Sequence, residues 1–163
     1  MKKAIFLDRD GVINHDPGDY TTSLEEFHIL PDAIPAMKKM KESGFEIIVI
    51  TNQGGVAKGL YTIEEVYRIH DYLKSTCKTE GVVIDDIYFS PHHESTGKSL
   101  TRKPGSLMIE RALAQHNIDP KSSFMIGDKM RDLEAASGAG VPGKLMEVNG
   151  SLLETFNQLL QTL

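Results

Sequence analysis

Short apolar runs alternate along the chain with segments of helical periodicity. The apolar runs predict strands at residues 4–7, 45–50, 84–89, 123–126 and 144–148. Runs of this kind are typical of strands buried on both faces. The segments with helical periodicity predict helices at residues 32–44, 62–81, 106–116, 133–136 and 151–163. Because strands that alternate with helices form parallel sheets through right-handed crossovers, we expect an α/β protein with a three-layer, doubly wound parallel sheet of about five strands.

The segment at residues 62–81 has the clearest helical pattern. Thr62 and Glu65 form a capping box, in which each side chain satisfies a free backbone N–H group of the other residue. One stripe at helical spacing contains Val66, His70, Leu73 and Cys77. We therefore expect this stripe to face the core. By contrast, residues 14–30 lack periodicity and carry turn signals, which predicts a surface loop.

Length and charge narrow the classes of function. The chain has 163 residues, a formal net charge of -5 and one cysteine, Cys77. We expect a single domain over residues 1–163, cytoplasmic and monomeric. The acidic balance argues against a nucleic-acid partner, and the lack of a long apolar stretch argues against a membrane-bound protein. A lone cysteine forms neither an internal disulfide nor a thiolate zinc site.

Polar side chains follow four of the predicted strands. Asp8 and Thr51 follow the first two, the polar loop at residues 90–104 follows the third, and Asp128 follows the fourth. Ligand sites in such sheets lie beyond the carboxyl ends of the strands. We therefore expect these groups to converge although they are far apart in the sequence.

The acidic residues in this group suggest a magnesium site. Asp8 and Asp10 leave the first strand with one residue between them, and Gly11 permits the sharp turn that would bring both carboxylates to one substrate atom. Two neighbouring carboxylates repel each other unless a proton or a cation intervenes. Asp128 would add oxygen for Mg²⁺, a hard cation that prefers oxygen ligands. A single aspartate, taken alone, is more often a helix cap or a solvated turn residue.

Four motifs occur in order near the predicted strand ends. They are Asp8-Arg9-Asp10-Gly11-Val12, Thr51-Asn52-Gln53, Arg102-Lys103-Pro104 and Gly127-Asp128-Lys129-Met130-Arg131-Asp132. Together they resemble the haloacid dehalogenase-like superfamily of aspartate-nucleophile phosphohydrolases. With Asn14 and Pro91-His92-His93 added, the set is similar to the D-glycero-D-manno-heptose 1,7-bisphosphate phosphatases and the related histidinol-phosphate phosphatases. No cap insertion separates the motifs.

The resemblance implies a Mg²⁺-dependent phosphomonoesterase with an aspartyl-phosphate intermediate. Asp8 would be the nucleophile and a metal ligand. Asp10 would be the general acid and then the general base, and would bind Mg²⁺ through its backbone carbonyl. Asp128 would bind the metal through its side chain. Thr51 and Lys103 would complete the catalytic set, with Lys103 as the counter-charge to the phosphate dianion.

The resemblance also implies a set of substrate-binding residues. The planar fork of Arg102 suits a second, non-reacting phosphate or a sugar hydroxyl. The loop after the first motif would contact the distal part of the substrate. The full expected set is Asp16, Asp19, Tyr20, Asn52, Gln53, Arg102 and Lys129. The sequence leaves two roles open for Asp132: it supports the metal site, or it simply caps a helix or forms an ion pair.

The zinc loop is where the chain departs from the resembled family. Heptose bisphosphatases usually carry one histidine and three cysteines there, whereas this chain has Ser90, His92, Ser99 and Thr101 at the corresponding positions. Hydroxyls are poor zinc ligands beside thiolate or imidazole. We therefore expect no structural zinc, and His92 and His93 to act as polar loop residues.

Other functions remain open from the sequence alone. Among phosphatases, histidinol phosphate is the second substrate candidate, and a nucleic-acid 3′-phosphate end is third because the net charge disfavours it. A phosphoacceptor receiver module fits less well, since its acceptor aspartate follows a later strand. A catalytically inactive interaction module is the last alternative. The sequence does not indicate which anomer of a sugar phosphate would be used.

Overall fold

A computed structural model describes all residues, 1–163, and contains one parallel sheet. Its strands are β1 (Ala4–Leu7), β2 (Glu46–Asn52), β3 (Asp86–Ser90), β4 (Phe124–Gly127) and β5 (Gly143–Leu145). The helices are α1 (Ala33–Glu42), α2 (Ile63–Thr79), α3 (Leu107–His116), α4 (Met130–Gly138) and α5 (Leu152–Leu160). The predicted doubly wound α/β fold is confirmed.

The order of the strands across the sheet is β3-β2-β1-β4-β5, and all pairs are parallel. The chain moves outward from β1 through β2 to β3, then returns and continues on the other side through β4 to β5. The direction of winding therefore reverses between β1 and β4, which pair with Leu7 opposite Ile126. Open parallel sheets bind their ligands at such a reversal point, beyond the carboxyl ends of the strands.

Each face of the sheet has its own core. Alternate strand residues such as Ile5, Leu7 and Val49 face a cluster that includes buried side chains of α1, α2 and α5. Their neighbours, such as Phe6 and Ile48, face a smaller cluster with α3 and α4. Because successive strand side chains point to opposite faces, a strand packed on both faces has to be apolar at every position. This explains the unbroken apolar runs in the sequence.

Several element boundaries differ from the sequence prediction. Helix α4 begins at Met130, ahead of the predicted start at residue 133. Strand β5 is Gly143–Leu145 and not 144–148, and its residues are partly or fully exposed. The segment at residues 14–30 contains a short 3₁₀ helix, Leu24–Glu26, and Asn14 forms bridges to Asp10 and Ile29. None of the helices has the length and apolar character that crossing a membrane requires.

Candidate active site

The chain turns sharply where β1 ends. The backbone carbonyl of Arg9 accepts hydrogen bonds from the N–H groups of Val12, Ile13 and Asn14, at 3.2, 2.8 and 3.2 Å. Gly11 lies inside this turn with a φ of +86°, a region that residues with a Cβ rarely adopt. A Cβ at Gly11 would also lie 2.5 Å from Oδ2 of Asp128. The glycine therefore lets the turn after β1 approach the end of β4.

Three charged side chains are packed together at this end of the sheet. The ammonium group of Lys103 is buried and donates to Oδ1 of Asp8 at 3.0 Å, to Oδ1 of Asp132 at 2.5 Å and to the backbone carbonyl of Ile50 at 2.7 Å. All three donors of the lysine are thereby used. The backbone N–H of Arg9 also donates to Oδ1 of Asp8, at 2.9 Å. The Oδ2 oxygen of Asp8 remains for other partners.

Burial and charge act in opposite directions on these groups. Burial raises the pKa of Asp8, and the attraction of Lys103 offsets only part of this because Asp132 and Asp128 add negative charge nearby. Burial alone would lower the pKa of Lys103, but the charges of Asp8 and Asp132 outweigh it and raise that pKa. Lys103 therefore stays cationic and provides a fixed positive charge beside Asp8.

Asp132 links the Lys103 ammonium to the start of helix α4. Its Oδ1 accepts from Lys103 and its Oδ2 accepts from the backbone N–H of Lys129, at 3.0 Å, at the start of α4. The side chain is fully buried. Asp132 therefore both forms an ion pair and caps α4, which is the second of the two roles left open by the sequence, and a supporting role at a metal site stays a prediction.

Asp128 is the one carboxylate of the site that the protein leaves without hydrogen bonds. Both of its oxygens are buried and have no hydrogen-bond partner. Burial raises the pKa of Asp128. Oxygen atoms of Asp8, Asp128 and Asp132 lie within 4.8 Å of one another. The Lys129 ammonium lies 3.6 Å from Oδ2 but is partly exposed, and no group donates to the buried oxygens. A buried carboxylate without donors is costly, so the donor set fits a hard cation such as Mg²⁺.

In contrast to Asp128, Asp10 accepts hydrogen bonds at both of its carboxylate oxygens. Its Oδ1 accepts from the Arg9 guanidinium at 2.8 Å and from the Asn14 amide at 2.9 Å, and its Oδ2 accepts from the Gln53 amide at 2.9 Å. Burial acts to raise the pKa of Asp10, but the Arg9 charge and these hydrogen bonds outweigh it and lower the pKa. Asp10 is therefore held as a carboxylate in one orientation.

Arg9 and His70 form a support for Asp10 that the sequence analysis missed. Arg9 is fully buried, lies over the Phe27 ring at 5.5 Å, and approaches Nε2 of His70 at 3.1 Å. Because a guanidinium only donates, His70 accepts at Nε2 and is neutral. Burial and the Arg9 charge lower the pKa of His70 to about 3. The sequence did carry one signal for this pair, because His70 is the polar residue on the otherwise apolar stripe of α2.

The side chain of Gln53, next to the end of β2, is bonded to other residues of the site. Gln53 is buried, and its amide N–H groups donate to Asp10 and, at 3.0 Å, to the Thr51 hydroxyl. Its carbonyl oxygen accepts from the Tyr61 hydroxyl at 2.7 Å. Gln53 thus has no N–H left for a substrate, which corrects the role expected for it. It positions Asp10 instead.

Asn52 is tied to the third motif. Its side-chain carbonyl accepts from the backbone N–H of Lys103 at 2.9 Å, and its amide donates to the Lys103 carbonyl at 3.1 Å. The paired bonds fix the backbone from which the Lys103 side chain reaches Asp8. One amide N–H of Asn52 stays free, and the residue also lines the cavity described next.

A polar cavity of about 380 Å³ opens beside this cluster. The expected substrate-binding residues other than Gln53 all line it: Asp16, Asp19, Tyr20, Asn52, Arg102 and Lys129. His93, Glu94 and Arg131 line it as well and were not in the expected set. The structure thus brings together residues from the loop after β1, the end of β2, the loop after β3 and the start of α4.

The positions at which the resembled family carries zinc thiolates have a different chemistry here. The hydroxyls of Ser90 and Thr101 lie 2.9 Å apart, and those of Ser99 and Thr101 also lie 2.9 Å apart. The fourth position, His92, is exposed. Hydroxyls that are bonded to one another do not form a zinc site.

Comparisons with known proteins agree with this geometry. A family model described as HAD-hydrolase-like matches residues 100–151. A D-glycero-beta-D-manno-heptose-1,7-bisphosphate 7-phosphatase of Pasteurella multocida (strain Pm70) is 36% identical over 155 residues, which cover 92% of this chain and 84% of that protein. A D-glycero-alpha-D-manno-heptose-1,7-bisphosphate 7-phosphatase of Photorhabdus laumondii subsp. laumondii is 40% identical over 146 residues, covering 86% of this chain and 79% of that protein.

A solved structure is similar over nearly the whole chain. The D,D-heptose 1,7-bisphosphate phosphatase from B. bronchiseptica, crystallised with magnesium and phosphate, has a TM-score of 0.88 at 30% identity and covers 99% of both chains. Fold, motifs and relatives therefore agree. The chain belongs to the haloacid dehalogenase-like hydrolases and, among them, to the family of the D-glycero-D-manno-heptose 1,7-bisphosphate 7-phosphatases.

Proposed function

We propose that this chain is a Mg²⁺-dependent phosphomonoesterase that removes the 7-phosphate of D-glycero-D-manno-heptose 1,7-bisphosphate. The observation that carries the proposal is the contrast around Asp8, where a buried lysine bonds to one carboxylate oxygen, while the buried Asp128 carboxylate beside it accepts no hydrogen bond and has only the partly exposed Lys129 ammonium nearby, 3.6 Å from Oδ2. The names of the relatives supply the substrate.

Asp8, Asp128 and the backbone carbonyl of Asp10 would hold the metal ion. Asp132 would not, because Lys103 and the Lys129 N–H occupy its two oxygens. When bound, Mg²⁺ supplies positive charge that offsets the charge of the phosphate dianion. The Lys103 ammonium supplies a second, permanent positive charge in a buried environment, where such charges act strongly.

In the first step Asp8 attacks the phosphorus atom. One oxygen of its carboxylate would attack while the other would hold the metal ion, and the bonds from Lys103 and the Arg9 N–H to Oδ1 fix the orientation of the group. As the bond between Asp8 and phosphorus forms, the bond between phosphorus and the sugar oxygen breaks. Asp10 gives a proton to the departing oxygen. The negative charge of the incoming phosphate raises the proton affinity of Asp10, which is otherwise held as a carboxylate.

In the second step water releases the phosphate. Asp10, now a carboxylate again, takes a proton from the water as its oxygen attacks phosphorus, and the bond to Asp8 breaks. The hydrogen bonds from Arg9, Asn14 and Gln53 keep Asp10 in a single orientation through both steps. Orthophosphate and the regenerated Asp8 carboxylate are the products.

The cavity beside the cluster would hold the rest of the substrate. Arg102 and Lys129 line it and carry the positive charge that the second phosphate requires. Asp16 and Asp19 line the same cavity and can accept hydrogen bonds from sugar hydroxyls. We propose that this pocket, formed by one chain acting as one domain, selects the sugar bisphosphate.

A hydrolysis panel tests the proposal. The purified protein is assayed with Mg²⁺ on both anomers of heptose 1,7-bisphosphate, on histidinol phosphate, on a 3′-phosphorylated oligonucleotide and on p-nitrophenyl phosphate. We expect kcat/KM to be highest for one heptose bisphosphate anomer, with loss of the 7-phosphate seen by phosphorus NMR. A higher kcat/KM for histidinol phosphate would overturn the proposed substrate, and no turnover of any compound would overturn the proposed reaction.

A further inference from the structure

The loop between β3 and α3 is closed at its base by three hydroxyls. Ser90, at the end of β3, is fully buried, and its hydroxyl lies 2.9 Å from that of Thr101. The Thr101 hydroxyl lies 2.9 Å from that of Ser99, which also accepts from the Thr101 N–H at 3.2 Å. We call these three residues the hydroxyl ladder. It joins two points of the chain that are 11 residues apart.

The ladder lies directly beside Arg102. On the other side of Arg102, the Lys103 backbone is fixed by the two bonds to the Asn52 side chain. The Arg102 backbone is therefore held between two anchors, one at Thr101 and one at Lys103. Of these, only the Thr101 anchor depends on the loop.

The guanidinium of Arg102 is held by the same loop. Its Nη1 donates to the backbone carbonyl of His92 at 3.1 Å, and it passes so close to Gly54 that a Cβ there would lie 2.8 Å from Nη1. His92 belongs to the segment whose ends the ladder joins. The ladder thus fixes both the backbone of Arg102 and the acceptor that orients its side chain toward the cavity.

We infer that Thr101, through its hydrogen bond to Ser90, is a positioning residue that aims Arg102 at the distal anionic group of the substrate. The inference rests on the proposed function, because it assigns the distal group to Arg102. The hydroxyls contact no substrate themselves. Their effect is to present the guanidinium already oriented, which reduces the ordering that binding would otherwise require.

The test compares Thr101→Val with Thr101→Ser. Valine has nearly the shape of threonine but no hydroxyl, so it breaks both bonds and leaves the buried Ser90 hydroxyl without its partner, whereas serine keeps the hydroxyl. For Thr101→Val we expect the KM for the sugar bisphosphate to rise about three- to ten-fold, as for one lost hydrogen bond. The KM for p-nitrophenyl phosphate, which has no distal anion, should change less than about two-fold. Thr101→Ser should match the parent chain.

A second readout does not depend on catalysis. Amide hydrogen exchange of residues 91–102 should be about ten-fold faster in Thr101→Val than in Thr101→Ser or the parent chain. If exchange is unchanged, the ladder does not fix the loop and the inference is overturned. The inference is also overturned if KM rises equally for both substrates or if Thr101→Ser fails to restore the parent value.

The two proposals fail in distinguishable ways. A parent chain that hydrolyses neither substrate overturns the proposed function, and the exchange experiment still decides whether the ladder holds the loop. Ser99→Ala covers the case in which Thr101→Val does not fold, because it removes the two bonds of the less buried Ser99 hydroxyl and keeps the bond between Ser90 and Thr101. It should raise the bisphosphate KM about two-fold, and an unchanged KM in that variant would contradict the inference.

Discussion

Two carboxylates at the site have opposite surroundings. Asp10, in the turn after β1, accepts hydrogen bonds from Arg9, Asn14 and Gln53. Asp128, at the end of β4, is buried and accepts none. The pKa of Asp10 is lowered by its donors, whereas burial raises the pKa of Asp128. The fold therefore stabilises the Asp10 charge with hydrogen bonds, whereas Asp128 has only the Lys129 ammonium, 3.6 Å from its Oδ2, and its oxygens are free to bind an external cation.

We propose that this difference separates a residue that moves protons, Asp10, from a residue that binds the metal ion, Asp128. A group that gives and takes a proton has to keep one orientation, and its donors come from the protein. A metal ligand needs a free lone pair, and both oxygens of Asp128 are free of hydrogen bonds. Removing either carboxylate should abolish activity, yet the two removals should change the free energy of unfolding in opposite directions.

The largest expected effect is that of Asp10→Asn. It removes the acid and base, so kcat should fall by about 10²–10⁴-fold. It also leaves the buried Arg9 guanidinium without its anion, which should lower the free energy of unfolding by about 2–4 kcal/mol. Steady-state assays and urea unfolding without metal measure the two. An Asp10→Asn chain as stable as the parent would contradict the role assigned to the three donors.

Asp128→Asn should have the reverse effect on stability. It replaces a buried charge that accepts no hydrogen bond with a neutral amide, and the ion pair that is lost with Lys129 is partly exposed and weak, so the metal-free chain should become more stable by about 1 kcal/mol. We expect Mg²⁺ to raise the melting temperature of the parent chain but not that of Asp128→Asn. Urea unfolding in a chelator and melting curves with added Mg²⁺ are the measurements. A loss of stability in the chelator would mean that Asp128 is satisfied by the protein after all.

Removing one donor from Asp10 should cost less than removing Asp10 itself. Gln53→Met keeps the length of the side chain but loses its bonds to Asp10 and Thr51, so kcat should fall about ten-fold. Tyr61→Phe is the matched control, since it removes only the outer bond to Gln53 and should lower kcat about two-fold. Equal kcat values for Gln53→Met and the parent would show that Gln53 does not orient Asp10.

The smallest expected effect is the pH dependence of stability that arises from His70, the partner of Arg9. The pKa of His70 is lowered to about 3 by burial and by Arg9, while in the unfolded chain it is near the ordinary 6.5. The unfolded chain then binds a proton that the folded chain does not. Stability is full above pH 6.5 and falls as the pH drops below it, by about 2 kcal/mol between pH 7 and pH 5.

His70→Gln keeps an acceptor for Arg9 and removes the titration. The loss of unfolding free energy between pH 7 and pH 5 should therefore be about 2 kcal/mol smaller in this variant than in the parent chain. Urea unfolding at the two pH values measures it. The same pH dependence in both chains would show that His70 titrates normally in the folded state.

The sequence predicted the sheet well because its strands are apolar on both faces. The predicted strand ends also located Asp8, Thr51 and Asp128. Strand β5 was misplaced because an exposed edge strand needs no apolar run. The start of α4 was missed because Arg131 and Asp132 interrupt the apolar pattern of its first turn, and the structure shows that Asp132 caps the helix and pairs with Lys103.

Side-chain partners within the site were beyond sequence reasoning. The four-motif resemblance pointed to residues that the fold brings together, but it did not distinguish Gln53, which bonds to Asp10, from Asn52, which lines the cavity. That choice depends on the direction of each side chain at the end of β2. The pairing of Arg9 with His70 joins residues 61 positions apart, and only the packing of α2 against the turn after β1 brings them together.

The central claim is that Asp8 accepts the phosphoryl group before water does. Two successive in-line displacements at phosphorus give net retention of configuration, whereas direct attack by water gives inversion. The decisive measurement is therefore the stereochemical course of hydrolysis of a substrate whose reacting phosphoryl group is made chiral with oxygen isotopes and sulfur. We predict retention, and inversion would contradict the account.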